Sequence, residues 1–377
     1  MKYEGENYKL NIDSIESISF KNEFKIRKKV YLIFFLFFVF IFIIIIINNK
    51  INILITNKSF DITKNSNFKR NKIPKSDEES LDSIFKDDTN IDYLMAQKDF
   101  CVKQNNIQNI NEKIQLVKAD YYNVKFNMFV YKGKDIVSNF ILRNKCWDPE
   151  GSKSMLDSLE FYRRKKNLNI QDIYILDLGA NIGWYSLFLG KLGYNLIAFE
   201  PSIKNYQILK KNYCLNQDMN ITIINKGIYI ENKNCSLYHQ LSNIGNAFLI
   251  CDEQKFIKKN YFEEKIKLTK LSNYIPFLSN KNLAIIKIDV EGSEGIAVES
   301  GIDLIKKYHV PFIHLEFSPS LLRNKKTDPQ LFLEMFEKNG YKFSKVDFLS
   351  KNYSSIAELL KARQINIFII YTKFLDY

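Results

Sequence analysis

The sequence is poor in the residues that make tight turns and covalent cross-links. Its 377 residues include only 13 Gly, 7 Pro and 5 Cys, and so few Gly and Pro argue against a β-sandwich with many turns. Five Cys in a chain of this length do not make a disulfide scaffold, and their odd number leaves at least one unpaired in a monomer. The sequence does not specify their pairing. The hydrophobic fraction of 46% and the charged fraction of 26% are typical of globular proteins and exclude wholesale disorder.

Acidic residues are outnumbered by basic ones, with 42 Asp+Glu against 55 Lys+Arg and a formal net charge of +13. This charge raises the possibility of a nucleic-acid partner. Lys and Asn are, however, spread along the whole chain beside Ile, which indicates a compositional bias. No dense basic stripe with interleaved aromatic residues is present, so we predict no nucleic-acid partner.

One segment contains no charged residue at all. Residues 30–47 (VYLIFFLFFVFIFIIIII) are apolar on every helical face, and a helix of this length is roughly 27 Å long, close to the ~30 Å hydrocarbon core of a bilayer. A cleaved signal peptide is the alternative interpretation. The leader before the segment is long, and Asn48-Asn49-Lys50 offers no small-residue cleavage site, so we predict an uncleaved transmembrane anchor.

The charges that flank the anchor predict its orientation. Lys25, Arg27, Lys28 and Lys29 crowd the N-terminal side, which places the N-terminus in the cytosol and the rest of the chain in the lumen (ER or Golgi) or outside the cell. The segment after the anchor is rich in Asn, Lys, Asp and Ser and has no sustained period. The predicted parts are a cytosolic tail (1–29), the anchor (30–47), a polar stem (48–117), an N-terminal extension of the catalytic domain (118–168) and the catalytic domain (169–377).

Short apolar runs alternate with helical patterns through the predicted catalytic domain. This alternation predicts an α/β fold, in which a mostly parallel sheet is covered by helices on both faces. The last two strands follow one another without a long helix, which predicts an antiparallel hairpin at one edge. The predicted strands are 173–178, 196–199, 221–224, 283–290, 312–317, 341–346 and 365–371, and the predicted helices are 152–166, 184–192, 203–215, one ending near 308, and 329–339.

Glycines and acids follow the first two of these strands. Asp177 ends the first strand and is followed by Gly179 and Gly183, which let the backbone turn tightly and approach a ligand. The spacing is G-x-x-x-G rather than the dinucleotide fingerprint G-x-G-x-x-G, which weakens a nicotinamide interpretation. Glu200 stands at the end of the second strand, before Pro201. A carboxylate in this position can accept both ribose hydroxyls of a nucleoside-bearing cofactor.

A third acidic segment follows the fourth strand of the predicted sheet. Asp289, Glu291 and Glu294 reach the same edge of the sheet as Asp177 and Glu200. Their mutual repulsion is costly unless they bind donors, cations or a metal. Glu294 could instead cap the next helix.

Together these motifs resemble the FkbM-type S-adenosylmethionine-dependent methyltransferases. The resemblance runs from about Trp147 to Phe343. It implies a class I methyltransferase (Rossmann-like) fold, S-adenosylmethionine as the methyl donor, and O-methylation of a hydroxyl on a sugar or natural product. The residues that carry it are DLGANIGWYS (177–186), FEP (199–201), NIGNA (243–247), KIDVEGSE (287–294) and Leu315-Glu316.

The resemblance also implies roles for individual residues. Asp177, Gly179, Asn181 and Gly183 would line the methionine part of the cofactor. Glu200 would hold the ribose, and Asp289 would border the site of transfer. The catalytic base does not carry over from the family.

An aliphatic hydroxyl loses its proton during methyl transfer, so a base near the acceptor is expected. The candidates are Asp289, Glu291, Glu316 and His239, whereas His314 alternates with apolar residues on a strand and reads as structural. The carboxylates could instead bind Mg²⁺, but no metal site is assigned. The chain has no Asn/Asp-Pro-Pro-aromatic segment after the fourth strand, which disfavours methylation of nitrogen.

The predicted function is therefore a membrane-anchored, S-adenosylmethionine-dependent methyltransferase that acts on a hydroxyl of a glycan or small metabolite. Two alternatives belong to other classes. One is a non-catalytic lumenal binding or scaffold protein on a methyltransferase fold, which the intact glycines and Glu200 disfavour. The other is a nucleic-acid methyltransferase, for which the chain lacks a basic stripe.

Overall fold

The computed structural model describes residue 101 and residues 113–133, 135–240, 243–251 and 261–376. Short apolar or alternating runs form the strands of three sheets in this part of the chain. The strands are β1 (Ile114–Tyr121), β2 (Val124–Tyr131), β3 (Ile173–Leu178), β4 (Asn195–Phe199), β5 (Asn220–Ile224), β6 (Gly227–Ile228), β7 (Lys233–Gln240), β8 (Asn243–Ile250), β9 (Tyr261–Thr269), β10 (Asn282–Ile288), β11 (Phe312–Phe317), β12 (Tyr341–Ser344) and β13 (Ile365–Tyr371).

Helices connect most of the parallel strands. Short 3₁₀ turns at Ile170–Asp172 and Leu271–Tyr274 precede β3 and the helix before β10. The α-helices are α1 (Ile136–Asn144), α2 (Pro149–Lys166), α3 (Trp184–Lys191), α4 (Ile203–Cys214), α5 (Ile275–Leu278), α6 (Glu294–Tyr308), α7 (Pro319–Asn324), α8 (Pro329–Lys338), α9 (Ile356–Leu359) and α10 (Thr372–Leu375).

The largest sheet has seven strands in the order β12-β13-β11-β10-β3-β4-β5. The five strands from β11 to β5 are parallel, and β13 pairs antiparallel with both β11 and β12. The predicted parallel sheet with an antiparallel edge is therefore confirmed. Alternate residues of β3 enter different cores, since Ile173 and Ile175 pack on one face and Leu176 and Leu178 on the other. Both faces are covered, as the near-continuous apolar strands predict.

The N-terminal extension packs on one of these faces. β1 and β2 form an antiparallel hairpin, and buried residues of this hairpin share a core with α3 and α4. β1 begins at Ile114, inside the range 48–117 that the sequence assigns to the stem. Helix α2 begins at Pro149, three residues before the predicted start, because Asp148 caps it and accepts the Gly151 N–H.

The four-stranded sheet, in the order β6-β9-β7-β8, was not predicted. It comes between β5 and β10 in the chain. Its strand β8 includes the segment 243–247 that resembles a family loop. The pairs β7–β8 and β7–β9 are antiparallel, and β6–β9 is parallel.

Two disulfides stabilise the described part of the chain. Cys101 is bonded to Cys214 at the end of α4, and Cys235 on β7 is bonded to Cys251, which follows β8. Cys146 is buried and free. One unpaired cysteine is what the odd number of cysteines requires.

The predicted anchor, residues 30–47, lies outside the described residues, as do the cytosolic tail and most of the stem. Among the helices that the structure does describe, none is both long and apolar enough to cross a bilayer.

Candidate active site

The carboxyl ends of β3, β4, β10 and β11 meet at one edge of the seven-stranded sheet, where ligands bind in open α/β folds. The loop after β3 turns tightly there, with φ of +80° at Gly179 and +98° at Gly183. A Cβ atom at Gly179 would stand 1.8 Å from the carbonyl oxygen of Asp289. Glycine is therefore required at position 179 both for its dihedral angle and for the close approach of the loop after β10.

Glu200 follows β4 and is 5% exposed. Its Oε2 accepts the Asn181 N–H at 2.8 Å, and its Oε1 accepts the Ser202 N–H at 2.9 Å. Burial raises the pKa of Glu200 to about 7, although these hydrogen bonds oppose the shift. The glycine loop and Glu200 are thus joined directly, as the predicted cofactor site requires.

Asp177 and Asp289 lie on either side of a residue that sequence reasoning missed. The ammonium of Lys287, on β10, donates to the Gly179 carbonyl at 2.6 Å. It lies 3.4 Å from Asp177 Oδ1 and 3.7 Å from Asp289 Oδ2. The side chain of Lys287 is only 5% exposed. A lone lysine within the apolar run of β10 was the available signal, since a buried lysine needs anionic partners.

Asp177 is almost fully enclosed. Its Oδ2 accepts the Ser186 hydroxyl at 2.6 Å, whereas its Oδ1 is buried and has no hydrogen bond. An unfilled acceptor in a buried position costs about 1–3 kcal/mol. The Lys287 ammonium, 3.4 Å from Asp177 Oδ1, offsets this cost as an ion pair.

The candidate bases Asp289, Glu291 and Glu316 gather at the ends of β10 and β11. Burial raises the pKa of Glu291, and the charges of Asp289 and Glu316 raise it further. Burial followed by the charge of Asp289 also raises the pKa of Glu316, to a smaller extent. The side chain of Asp289 is 37% exposed. Carboxyls with raised pKa values at a strand edge are typical of sites that exchange protons near neutral pH.

Glu294 is the first residue of α6, and its carboxyl binds the turn before this helix instead of acting as the helix cap that the sequence left open. Its Oε1 accepts the N–H groups of Val290 and Gly292, at 3.1 and 3.0 Å. Burial raises its pKa to about 7. Glu294 thus holds the turn that presents Glu291, which itself has a positive φ of 53°.

His239 lies on β7, in the four-stranded sheet rather than the seven-stranded one. Its Nε2 is 2.8 Å from Glu264 Oε2, and its ring stacks on Phe262 with centroids 4.6 Å apart. Glu264 also accepts the Ser202 hydroxyl at 3.1 Å. The structure therefore places this candidate beside the start of α4, in a buried pair with a carboxylate.

His314 lies one strand away from Lys287 and next to it in register. It is buried, and both of its ring nitrogens lack hydrogen bonds. The nearest charge is Asp148 Oδ2, 3.8 Å from Nε2, and Asp148 also accepts the Tyr185 hydroxyl. Burial lowers the pKa of His314, so the ring is neutral at physiological pH.

Metal ligation was the alternative use for the carboxylates. Within the described residues, no group of three or more His, Cys, Asp and Glu side chains is arranged to hold a metal ion. The structure joins the carboxylates to Lys287 and to backbone N–H groups instead.

These elements form a candidate cofactor site on a methyltransferase-like α/β fold. Residues 177–343 match the model of the methyltransferase FkbM domain. The matched range contains the motifs that carry the resemblance in the sequence. No curated protein matches the chain.

Several solved structures share parts of the architecture at low identity. The 16S rRNA methyltransferase RsmC of T. Thermophilus, in complex with AdoMet and guanosine, is 14% identical with a TM-score of 0.34, and the match covers 69% of this chain and 51% of that one. A SAM-dependent methyltransferase of Agrobacterium tumefaciens is 10% identical with a TM-score of 0.33 over 68% and 69%. This chain thus spans about half the length of the RsmC chain. At such TM-scores, neither structure adds to the family assignment.

S-adenosylmethionine is the donor of this family, and the residues present fit it. Glu200 provides buried carboxylate oxygens at the end of β4, where a ribose is held in such folds. Asp177 lies beside the glycine loop, where Ser186 and Lys287 hold its carboxylate.

Proposed function

We propose that the chain is a membrane-anchored O-methyltransferase that transfers the methyl group of S-adenosylmethionine to a hydroxyl of a glycan or small molecule. The observation that carries this proposal is the direct link between Glu200 and the glycine loop within a matched FkbM domain. The hydroxyl acceptor is supported by the carboxyls with raised pKa values beside that loop. The sequence has no basic stripe with interleaved aromatic residues, which is the feature that would favour a nucleic-acid acceptor.

S-adenosylmethionine would be held by Glu200 and the glycine loop and would supply an activated methyl group there. Holding the reacting atoms in line accounts for much of the acceleration. Glu200 and the glycine loop hold the donor, while Lys287 fixes Gly179 relative to Asp289. Asp289 is the most exposed of the acids around Lys287 and borders the acceptor.

The acceptor proton needs a base, and Glu316 is the candidate that we favour. Glu291 has the more strongly raised pKa, so its carboxyl stays protonated at neutral pH and does not serve as the base. The pKa of Glu316 is raised to a smaller extent, which places a base close to the operating pH. Methyl transfer should accelerate as the pH rises through the pKa of Glu316, because only the ionised carboxylate accepts the proton.

The lumenal or extracellular location of the domain is also part of the proposal. Disulfides persist in oxidising compartments, and the pairs Cys101–Cys214 and Cys235–Cys251 support such a location. Residues 30–47 would anchor the chain with its N-terminus in the cytosol. Protease treatment of sealed microsomes tests this topology, since digestion of the C-terminal part without detergent contradicts it.

The activity is tested by incubating the full-length chain with methyl-labelled S-adenosylmethionine and a panel of glycans and small hydroxyl compounds. We expect label in an acceptor with the unaltered chain and none with Glu200→Ala. Tight cofactor binding without transfer to any hydroxyl would contradict the enzyme proposal and favour the non-catalytic binding protein. Undiminished cofactor binding by Glu200→Ala would contradict the site assignment.

A further inference from the structure

Strand β2 of the N-terminal extension is connected to the ribose end of the cofactor site. The Tyr131 hydroxyl donates to Asn205 Oδ1 on α4 at 2.9 Å. The Asn205 side chain in turn lies close enough to Glu200 to lower the pKa of that carboxyl. Tyr131 and Asn205 are both buried, so this relay is shielded from water. Position 131 lies outside the residues 177–343 that match the family.

A second connection runs from the same strand to the methionine end. Asn212 on α4 accepts the Phe129 N–H at 2.5 Å and donates to the Phe129 carbonyl at 3.0 Å. Its amide also donates to the carbonyl of Ile182, in the glycine loop, at 2.9 Å. Asn212 is fully buried. Both donors and the acceptor of its amide are thus used, which is required of a buried polar side chain.

The two relays use nearby positions of β2 and one side of α4. Phe129 bonds through its backbone and Tyr131 through its side chain, and Asn205 and Asn212 are seven residues apart and share one side of a helix. Asn216, one turn further, donates to the Asn127 carbonyl of β2 at 2.8 Å. Its amide also donates to the carbonyl of Asn212. Asn216 therefore joins β2 to α4 without reaching the glycine loop or Glu200.

We propose that the β1–β2 hairpin sets the geometry of the cofactor site through Asn205 and Asn212, which act as positioning residues for Glu200 and for the glycine loop. This inference rests on the proposed binding of S-adenosylmethionine. It goes further because it makes an element outside the matched domain part of cofactor recognition.

The two relays should differ in their dependence on pH. The charged or titratable groups that face Glu200 are Lys287 of β10 and Tyr131 of β2. The Asn205 side chain lowers the pKa of Glu200 against the effect of burial, so its removal raises that pKa above about 7. A rise of one unit lowers the ionised fraction about fivefold at pH 7 but hardly at pH 9. Asn212 does not contact a titratable group in either relay, so its loss should weaken binding equally at both pH values.

The experiment measures the Kd of S-adenosylhomocysteine for the full-length chain by calorimetry at pH 7 and pH 9. The variants are Asn205→Ala, Asn212→Ala and the matched control Asn216→Ala. We expect Asn205→Ala to weaken binding about fivefold at pH 7 and less than twofold at pH 9, relative to the unaltered chain. Asn212→Ala should weaken it equally at both, and Asn216→Ala should lower the melting temperature but leave Kd unchanged.

Three results would overturn the inference: unchanged Kd in both positioning variants, an equal loss in Asn216→Ala, or a loss in Asn205→Ala that pH 9 does not reduce. Tyr131→Phe removes only one hydroxyl and keeps the test open if an alanine variant does not fold. We expect its Kd to rise about two- to threefold at pH 7 through the same dependence on Glu200. Absence of binding by the unaltered chain would instead refute the proposed function.

Discussion

Two parts of the candidate site hold their carboxyl groups in opposite ways. On the cofactor side, Glu200 accepts hydrogen bonds from the N–H groups of Asn181 and Ser202. On the acceptor side, Glu291 and Glu316 have other carboxylates as their main electrostatic neighbours. Donors favour the ionised form of a carboxylate and like charges favour its protonated form, while burial raises the pKa of Glu200 to about 7 in spite of its donors. We propose that this difference in neighbours separates cofactor binding from proton transfer at one sheet edge.

The largest expected effect comes from adding a side chain where the loop after β3 approaches the loop after β10. Gly179→Val should abolish measurable binding of S-adenosylhomocysteine, because the new Cβ would lie 1.8 Å from the Asp289 carbonyl. Calorimetry with the full-length chain measures the loss. Gly133→Val is the matched control, since its φ is also positive, at +118°, but nothing lies within 4 Å of the added atom. Normal binding by Gly179→Val would contradict the described approach of the two loops.

On the acceptor side, Glu316→Gln should lower kcat about 100-fold at constant Kd for the cofactor, because it removes the proposed base. Glu291→Gln is the control, since an amide replaces a carboxyl that is already protonated, and its kcat should change little. Methyl transfer to the acceptor, measured from pH 6 to pH 9, supplies both constants. An equal fall in both variants would mean that the base is not Glu316.

On the cofactor side, Glu200→Gln should raise the Kd of S-adenosylhomocysteine about 10- to 100-fold, the usual value of a hydrogen bond to a charged group. The amide N–H₂ would face the N–H groups that Glu200 now accepts. The exposed Glu231→Gln serves as a control for the loss of one negative charge. Calorimetry is again the measurement, and a shift below twofold would refute the role of Glu200.

The smallest expected effect is on stability, and it tests whether Glu294 has a structural role or takes part in the chemistry of the acceptor side. Its folded pKa of about 7 exceeds the usual value, so the unfolded chain ionises first and stability is lost as the pH rises from about 4.5 to 7. Glu294→Gln should therefore raise the free energy of unfolding by about 1–2 kcal/mol at pH 8 and leave it unchanged at pH 5. Urea unfolding measures this, with exposed Glu299→Gln of the same helix as control. A fall in kcat would instead place Glu294 in the chemistry.

The parallel sheet could be predicted because its strands are short and almost wholly apolar. β9 could not, since it carries Glu263, Glu264 and Lys265 in succession and is buried only near its end. Its charged side chains have partners on β7 and at the start of α4 that no local pattern reveals.

The same distinction applies to the site. Glu200 and the glycines were predictable from where they stand relative to strand ends. Asn205 and Asn212 were not, because a buried asparagine on a helix has meaning only through its partners, and those lie 74 and 83 residues earlier in the sequence. The role of Lys287 was also not predictable, because it depends on Asp177 and Asp289, the two acids that face its ammonium in the fold.

Cys146 bears on how the chain keeps its native pairing. With two disulfides among five cysteines, any one of the five could remain unpaired. In the folded protein the unpaired cysteine is Cys146, and it is buried. Burial also raises the pKa of its thiol, which suppresses the thiolate that would attack a neighbouring disulfide. Burial of Cys146 thus keeps this sulfur from exchanging with the two disulfides in the folded protein.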